Sequence, residues 1–263
     1  MSLKNDPISL FAHFIDSVPV NSTRDCVIGG KRFLLKQRRW GRGAVIVLGN
    51  IFLKWSRSRI SMFTRASAWQ AWEIHSYQLL YDRACLPILN DVIRVEPLPG
   101  RSLRDYLEDG RLSGAMMRAA AGEFKRAHSL MSLELDGLWS HGDPHLNNVL
   151  YDKASGGAYL IDFETRHDPH LSAVERHADD LLVLLLDLIG RDRSMDWFAL
   201  SRTFLHAYGD AAVLQALTSR LIVPSGLELA LWKTRTNYLP LDVLRERLEL
   251  LRTQIEIICA DAV

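Results

Sequence analysis

The segment HGDPHLNN, residues 141–148, concentrates side chains that can bind metal ions or move protons. Asp143 is followed five residues later by Asn148, and Asp162 follows in the apolar stretch LIDFE. Carboxylate and amide oxygens suit magnesium, and a carboxylate beside a hydroxyl can accept its proton. Phosphoryl transfer from ATP needs such groups: a carboxylate near the acceptor hydroxyl, two magnesium ligands and a cation on the phosphates.

A short hairpin is predicted between these candidate magnesium ligands. Apolar residues 149–151 and 158–161 flank a turn at Gly156 and Gly157. A tight turn between two short apolar runs is typical of a hairpin. We expect this hairpin to bring Asn148 and Asp162 face to face.

Lys54 and Glu73 are the predicted cation on the phosphates and its partner. Residues 51–55 (IFLKW) are interpreted as a strand, and a Lys in such an apolar run is costly unless it is paired or faces a ligand. Glu73 lies 19 residues later, in a predicted helix. A strand Lys held by a helix Glu can point its ammonium group at the α- and β-phosphates.

The first hundred residues are predicted to be rich in strands. β-Branched and apolar runs predict strands at 32–37, 44–48 and 51–55, with a two-residue turn at Gly49 and Asn50. A helix is expected over about 66–84, and two more short strands over 86–98. Packing inside this part is the preferred interpretation of Trp40, Trp55, Trp69 and Trp72.

Helices are predicted after Gly100. Ser102–Asp105 and Ser172–Glu175 resemble capping boxes, each opening a helix, and the second helix is expected to end near Gly190. Apolar spacing predicts another helix at about 114–130. The fold class is therefore α+β: an N-terminal antiparallel sheet with one helix over 1–99, and a mostly helical part over 100–263.

The combined pattern resembles the protein-kinase-like superfamily over residues 32 to about 190. HGDPHLNN resembles the H-G-D-x-H-x-x-N motif of its aminoglycoside and choline phosphotransferase branch, and IDFE resembles the strand motif of that branch. Residues 32–55 and 72–87 are most similar to lipopolysaccharide core sugar kinases. The resemblance implies a two-lobed fold, with ATP and Mg²⁺ as cofactors.

The resemblance also implies a role for each matching residue. Asp143 would orient and deprotonate the acceptor hydroxyl, Asn148 and Asp162 would bind magnesium, and Lys54 with Glu73 would hold the phosphates. Backbone groups of Glu96 and Leu98 would contact adenine. His141 is expected to shape the loop and Asp180 to brace it, with Asp179 as a rival for the second role.

Two departures from the family pattern affect these expectations. There is no G-x-G-x-x-G loop, which in this family covers the phosphates of ATP. We therefore expect Gly41, Arg42 and Gly43 to cover the phosphates instead. Glu164 replaces the Gly of Asp-Phe-Gly, and the segment after it is short and lacks A-P-E. An activation loop and a peptide platform are therefore not expected, which favours a non-protein acceptor.

Three alternatives remain open at this point. A serine/threonine protein kinase would share the same site, and a pseudokinase binding module would explain the missing glycine-rich loop. A zinc enzyme could instead use the His and Asp residues of HGDPH and HDPH, because zinc sites favour such ligands at short spacing. The zinc hypothesis leaves Lys54, Glu73 and Asn148 unexplained.

Composition and charge limit the setting and the partners. Three distant cysteines argue against a disulfide framework and favour a reducing, cytoplasmic compartment. Residues 1–75 hold 12 Lys+Arg and 4 Asp+Glu, whereas the remainder hold 20 and 27. This basic first part suits a bound nucleotide and an anionic partner. The expected partners are ATP and a small-molecule or glycolipid hydroxyl acceptor, with peripheral membrane contact at the inner face left open and no nucleic acid expected.

Overall fold

The computed structural model describes residues 21–39, 41, 43–56, 58–89, 91–191 and 196–261. They form an α+β structure with antiparallel sheets. The strands are β1 Asn21–Ile28, β2 Lys31–Arg38, β3 Ile60–Met62, β4 Cys85–Leu89, β5 Val92–Val95, β6 Arg101–Ser102, β7 Met131–Ser132, β8 Gly137–Leu138, β9 Val149–Tyr151, β10 Ala158–Leu160 and β11 Thr165–His167. The helices are α1 Gly43–Trp55, α2 Ala66–Tyr81, α3 Leu103–Glu108, α4 Gly114–His128, α5 Ala173–Arg191, α6 Trp197–Tyr208, α7 Ala211–Thr218, α8 Gly226–Arg235 and α9 Leu241–Ala260.

The largest sheet has the strand order β1-β2-β5-β4. Strands β1 and β2 pair along their whole length around a turn at Gly29 and Gly30, which both adopt positive φ. Such a turn requires the left-handed backbone that glycine adopts most readily. The strand predicted at 32–37 and the two predicted over 86–98 are confirmed by β2, β4 and β5.

The two strands predicted at 44–48 and 51–55, and the turn between them, are wrong. This stretch is the single helix α1, whose buried residues Ile46, Gly49, Phe52 and Leu53 recur at helical spacing. A continuous apolar run lacks the alternation that separates a strand from a helix, so its sequence alone is ambiguous. The Asn50 side chain does not form a turn; it hydrogen-bonds both backbone groups of Met62 at 2.8 Å.

Helix α2 confirms the helix predicted over about 66–84, and it ends at Asp82 in a left-handed conformation. Its Trp69 and Trp72 are buried in the core, as predicted. The packing prediction is wrong for Trp55, whose relative exposure is 69%. Trp40 lies outside the described residues.

The predicted helices after Gly100 are also confirmed. The Ser102 hydroxyl accepts from the Asp105 N–H at the start of α3, and Ser172 and Glu175 form the reciprocal bonds of a capping box before α5. Helix α5 is buried along most of its length and forms the centre of the helical part. Near its end, a Cβ on Gly190 would lie 2.3 Å from the Cα of Thr236, so glycine permits a close backbone contact there.

Two short antiparallel pairs complete the surroundings of the candidate site. The predicted hairpin is present as β9 and β10, and β6 adds to the outer side of β9. Strand β11 pairs with β3, which connects the residues after Asp162 to the segment that joins α1 and α2. Among the helices that the structure describes, none is long and apolar enough to cross a membrane.

Candidate functional site

A cavity of about 410 Å³ lies between the large sheet and the β9–β10 hairpin. It has a charged side and an apolar side, as sites for a ligand with a polar and an aromatic part often do. Its polar and charged lining includes Lys36, Glu73, Asn148, Asp162 and Glu164. Its apolar lining includes Leu34, Tyr77, Val95, Leu98, Leu150 and Ile161.

Lys36 connects three parts of the chain at the charged side. Its Nζ lies 3.0 Å and 3.1 Å from the two carboxylate oxygens of Glu73 on α2. It also contacts Asp162 and lies 3.4 Å from Glu164, both just beyond β10. A buried ammonium is stable only when it is paired, and this one has three carboxylate neighbours.

The assignment of Lys54 as the partner of Glu73 is therefore wrong. Lys54 lies near the end of helix α1, where it is exposed, whereas Lys36 on β2 forms the ion pair. The error followed from interpreting α1 as strands, which made Lys54 the strand lysine nearest to Glu73. Lys36 carried the usable signal, because it directly follows the apolar run FLL in a strand that was predicted correctly.

Burial and neighbouring charges shift the proton affinities of this cluster. Burial raises the pKa of Glu73, and Lys36 offsets part of this effect. Burial and the charge of Asp162 raise the pKa of Glu164 to about 7. Burial is the largest single influence on Lys36 and on Asp162 and disfavours their charges. The carboxylates of Asp162, Glu73 and Glu164 together outweigh it for Lys36, whose pKa is raised. The charge of Lys36 and hydrogen bonds with Lys36 and Glu164 outweigh it for Asp162, whose pKa is lowered.

Asp162 and Asn148 lie side by side, as predicted from the hairpin. The backbone N–H of Ile161 donates to the carbonyl of Asn148 at 2.9 Å, which places Asp162 next to Asn148. The Asn148 amide nitrogen donates to the carbonyl of Asp143, while its amide oxygen accepts no hydrogen bond from the described residues. Asp162 adopts φ 71°, a conformation that is costly for a non-glycine residue and often found at functional sites.

Asp143 lies in the loop before β9 with its side chain 35% exposed. Among the described residues, the cation paired with it is Arg235, at the end of α8, whose Nη2 lies 3.6 Å from Asp143 Oδ1. Sequence reasoning missed Arg235, because it follows Asp143 by 92 residues and belongs to no recognisable motif. Asp143 does not itself line the cavity, but its backbone carbonyl holds the side chain of Asn148, which does. A partly exposed carboxylate can accept a proton from a bound hydroxyl.

Helix α5 fixes the backbone of this loop through two aspartates. The fully buried Asp180 accepts hydrogen bonds from the N–H groups of His141 and Gly142, both at 2.8 Å. Two helical turns later, Asp187 accepts from the N–H of Leu146 at 3.0 Å. The bracing position predicted for Asp180 is confirmed, whereas Asp187 was missed, although its seven-residue spacing from Asp180 places both on one helix face.

The rival candidate Asp179 does not brace the loop. It pairs with Arg220 at 3.2 Å and lies 3.5 Å from His167. His141 has the predicted structural position: its Nε2 lies 2.9 Å from the Ile161 carbonyl, and its Nδ1 accepts from the Asp143 N–H. Burial lowers the pKa of His141, so a neutral ring holds the loop against the end of β10.

The predicted phosphate cover at Gly41 and Gly43 is not at the cavity. Gly43 begins helix α1, and neither glycine lines the cavity; Arg42 lies outside the described residues. Asn21 and Thr23 on β1 line the cavity instead, and the Asn21 amide donates to Glu164. These side chains were missed because residues 21–25 (NSTRD) are polar and gave no strand signal.

The predicted adenine-contacting segment directly follows strand β5. Leu98 lines the cavity, and the Glu96 N–H donates to the Ala84 carbonyl at 3.0 Å. Among the described residues, no hydrogen bond involves the Glu96 carbonyl or the Leu98 N–H. These two backbone groups therefore form no hydrogen bond with the described part of the chain, although only Leu98 lines the cavity.

The residues of the zinc hypothesis are not gathered into a site. Within the part of the chain that the structure describes, no group of three or more His, Cys, Asp or Glu side chains is arranged to hold a metal ion. His167 lies against Ser140, and His177 lies 2.9 Å from the Trp139 carbonyl. Two protein oxygens at Asn148 and Asp162 still suit magnesium, which takes its other ligands from water and phosphates.

Comparison with known proteins adds no family assignment. The chain matches no protein-family model, and no curated protein matches it significantly.

Proposed function

We propose that this chain is an ATP-dependent phosphotransferase with a two-lobed protein-kinase-like fold. The observation that carries the proposal is the contact of Lys36 with both Glu73 and Asp162 in the wall of one cavity. Phosphoryl transfer needs a cation for the phosphates and a carboxylate for magnesium at the same place. The four-stranded sheet, the helix that carries Glu73 and the following helical part support the same fold.

In this proposal, Lys36 takes the role that the sequence assigned to Lys54. Glu73 holds the ammonium group on the cavity side of β2, where it can bind the α- and β-phosphates. Adenine occupies the apolar side, with the Glu96 carbonyl and the Leu98 N–H as its hydrogen-bonding groups. Asn21 and Thr23 contribute to the cover over the phosphates.

Asp162 and Asn148 would hold magnesium. One carboxylate and one amide oxygen fit a hard cation that keeps water and phosphate ligands. The ion supplies neutralisation of phosphate charge during transfer. The unbonded amide oxygen of Asn148 supports this assignment, because its amide nitrogen is already fixed by the Asp143 carbonyl.

Asp143 would act on the acceptor hydroxyl. Its carboxylate accepts the hydroxyl proton while the acceptor oxygen forms a bond to the γ-phosphorus and the bond to the β-phosphate oxygen breaks, leaving ADP. Asp180 and Asp187 position the loop without touching the reactants. The first-choice acceptor is a non-protein hydroxyl, such as that of a lipopolysaccharide core sugar or another small alcohol.

Thermal unfolding with and without Mg-ATP tests this proposal. Wild type should gain several degrees in melting temperature, since a ligand at 100 times its dissociation constant stabilises a fold by about 2.7 kcal/mol. Asp162→Ala should lose the magnesium-dependent part of the gain. No shift at millimolar Mg-ATP in wild type would refute the nucleotide site.

The acceptor class requires a separate measurement. The phosphate content of core oligosaccharide from a deletion strain should fall if the acceptor is a core sugar, and an unchanged content would exclude that acceptor. Acid-stable phosphoserine or phosphothreonine after incubation with labelled ATP would favour the protein-kinase alternative. Nucleotide binding without any transfer would favour the pseudokinase alternative.

A further inference from the structure

Helix α1 is apolar on two opposite sides. One side is buried, and the other exposes Val47, Leu48, Ile51 and Trp55 to solvent. We call these four residues the outer face of α1; their spacing of one, three and four positions places them together on the helix surface. A helix that is apolar all round is normally buried, so an exposed side of this kind indicates a binding surface.

The outer face is held in a fixed position. On the inner side, Phe52 packs with Ala230 of α8, and the partly buried Leu227 and Leu231 pack against them. The Asn50 side chain pins the middle of α1 to Met62 on β3. Val47, Leu48 and Ile51 therefore lie in the body of a packed helix, and Trp55 is its last residue.

The charge around α1 identifies the kind of partner. Residues 26–72 contain ten Lys+Arg and no Asp or Glu. Among them, Arg39 lies four residues before α1 and Lys54 lies in its last turn, and both are exposed. An apolar face between cationic groups is complementary to a lipid surface with anionic headgroups. A second copy of this chain would instead bring the same positive charge into contact with itself.

We propose that the outer face of α1 docks on an anionic lipid bilayer. Val47, Leu48 and Ile51 enter the boundary between headgroups and acyl chains, and the indole of Trp55, which is 69% exposed, lies at headgroup level. The flanking cations contact lipid phosphates. This surface is separate from the cavity, so the inference does not depend on the proposed function.

Flotation of the full chain with lipid vesicles tests the docking surface. We expect wild type to float with vesicles containing phosphatidylglycerol and phosphatidylcholine, and to bind pure phosphatidylcholine at least tenfold more weakly. Replacing two outer-face residues together, Leu48→Gln and Trp55→Gln, should weaken binding to the anionic vesicles at least tenfold. Leu133→Gln is the matched control, because Leu133 is 94% exposed and lies between β7 and β8, away from α1 in sequence. This variant should bind vesicles as wild type does.

The competing outcomes are distinguishable. Equal binding by wild type and the double variant, or no binding by wild type, overturns the proposal. The proposal would also be overturned if wild type formed a dimer in solution, the double variant were monomeric, and neither bound vesicles. That result would assign the outer face to a second copy of the chain. Circular dichroism checks that the double variant is folded. Its Mg-ATP-dependent shift in melting temperature tests the nucleotide site independently of vesicle binding.

Discussion

The guanidinium group of Arg235, at the end of α8, lies 3.6 Å from the carboxylate of Asp143 in the loop before β9. This separation exceeds a normal hydrogen bond, and Asp143 is partly exposed, so the pair contributes little to folding stability. We expect Arg235→Gln to change the melting temperature by less than about 2 °C. If Arg235 positions Asp143 or the acceptor, the same variant should lower Mg-ATP turnover about tenfold, equivalent to 1.36 kcal/mol in the barrier.

Arg252→Gln is the matched control for this prediction. Arg252 forms a comparably long ion pair with Glu249 on helix α9, at 3.9 Å. Turnover and melting temperature should both remain at wild-type values in this variant. Equal turnover in the Arg235 and Arg252 variants would show that Arg235 has no part in the reaction.

Replacing Lys36 should affect nucleotide binding, whereas replacing Lys54 should not. Lys36→Gln removes the cation that Glu73 and Asp162 hold in the cavity wall, so the dissociation constant of Mg-ATP should rise at least tenfold. Lys54→Gln removes an exposed cation on α1 and should leave that constant unchanged. Isothermal titration calorimetry on both variants compares them directly. A larger effect for Lys54 would restore the assignment made from the sequence.

Glu164 should make folding stability depend on pH between about 4.5 and 7. Burial, then the charge of Asp162, raises its folded-state pKa from 4.5 to about 7. A carboxyl group whose pKa is raised by folding contributes its full stabilisation when the pH is below its unfolded-state pKa. That stabilisation is lost as the pH rises through its folded-state pKa. Glu164→Gln should therefore gain stability relative to wild type as the pH rises from 4.5 to 8, by up to about 3 kcal/mol.

Urea unfolding at pH 5, 6, 7 and 8 measures this difference. Gln at position 164 can still accept the hydrogen bond from Asn21, so the comparison isolates the charge. A stability difference that stays constant over this range would contradict the raised pKa.

Gly142 should tolerate alanine less well than Gly156. Both have positive φ, which costs a non-glycine residue about 1–2 kcal/mol. A Cβ on Gly142 would also lie 2.7 Å from Thr165 Oγ1, whereas a Cβ on Gly156 meets nothing within 4 Å. Overpacking adds about 1–3 kcal/mol, so Gly142→Ala should lower the free energy of unfolding by that much more than Gly156→Ala. Equal losses in chemical unfolding would contradict the close contact.

The parts of the site that were predicted correctly are those encoded within short stretches. The hairpin between Asn148 and Asp162 follows from a glycine turn between apolar residues, and the α3 and α5 starts follow from capping residues. In each case the residues that determine the structure are neighbours along the chain. Local hydrogen bonds and turn geometry are therefore sufficient to predict them.

The parts that were missed depend on contacts between distant residues. Helix α1 could be distinguished from two strands only by its packing against α8 and β3, because its apolar run fits either structure. That one error also moved the predicted lysine from Lys36 to Lys54 and the phosphate cover to Gly41–Gly43. Arg235 reaches Asp143 through the tertiary position of α8, which no local pattern encodes.

Asp180 and Asp187 bind opposite ends of the loop that carries Asp143, from positions about 10 Å apart along helix α5. With two attachment points on one helix, the loop and α5 form a single rigid body. Any opening of the cavity must therefore come from movement on the side of the sheet. Lys36 connects the sheet to the segment after β10, because its ammonium group contacts Asp162 from strand β2. If Lys36 exchanged these carboxylates for another anion, the distance between the sheet and the β9–β10 hairpin would change.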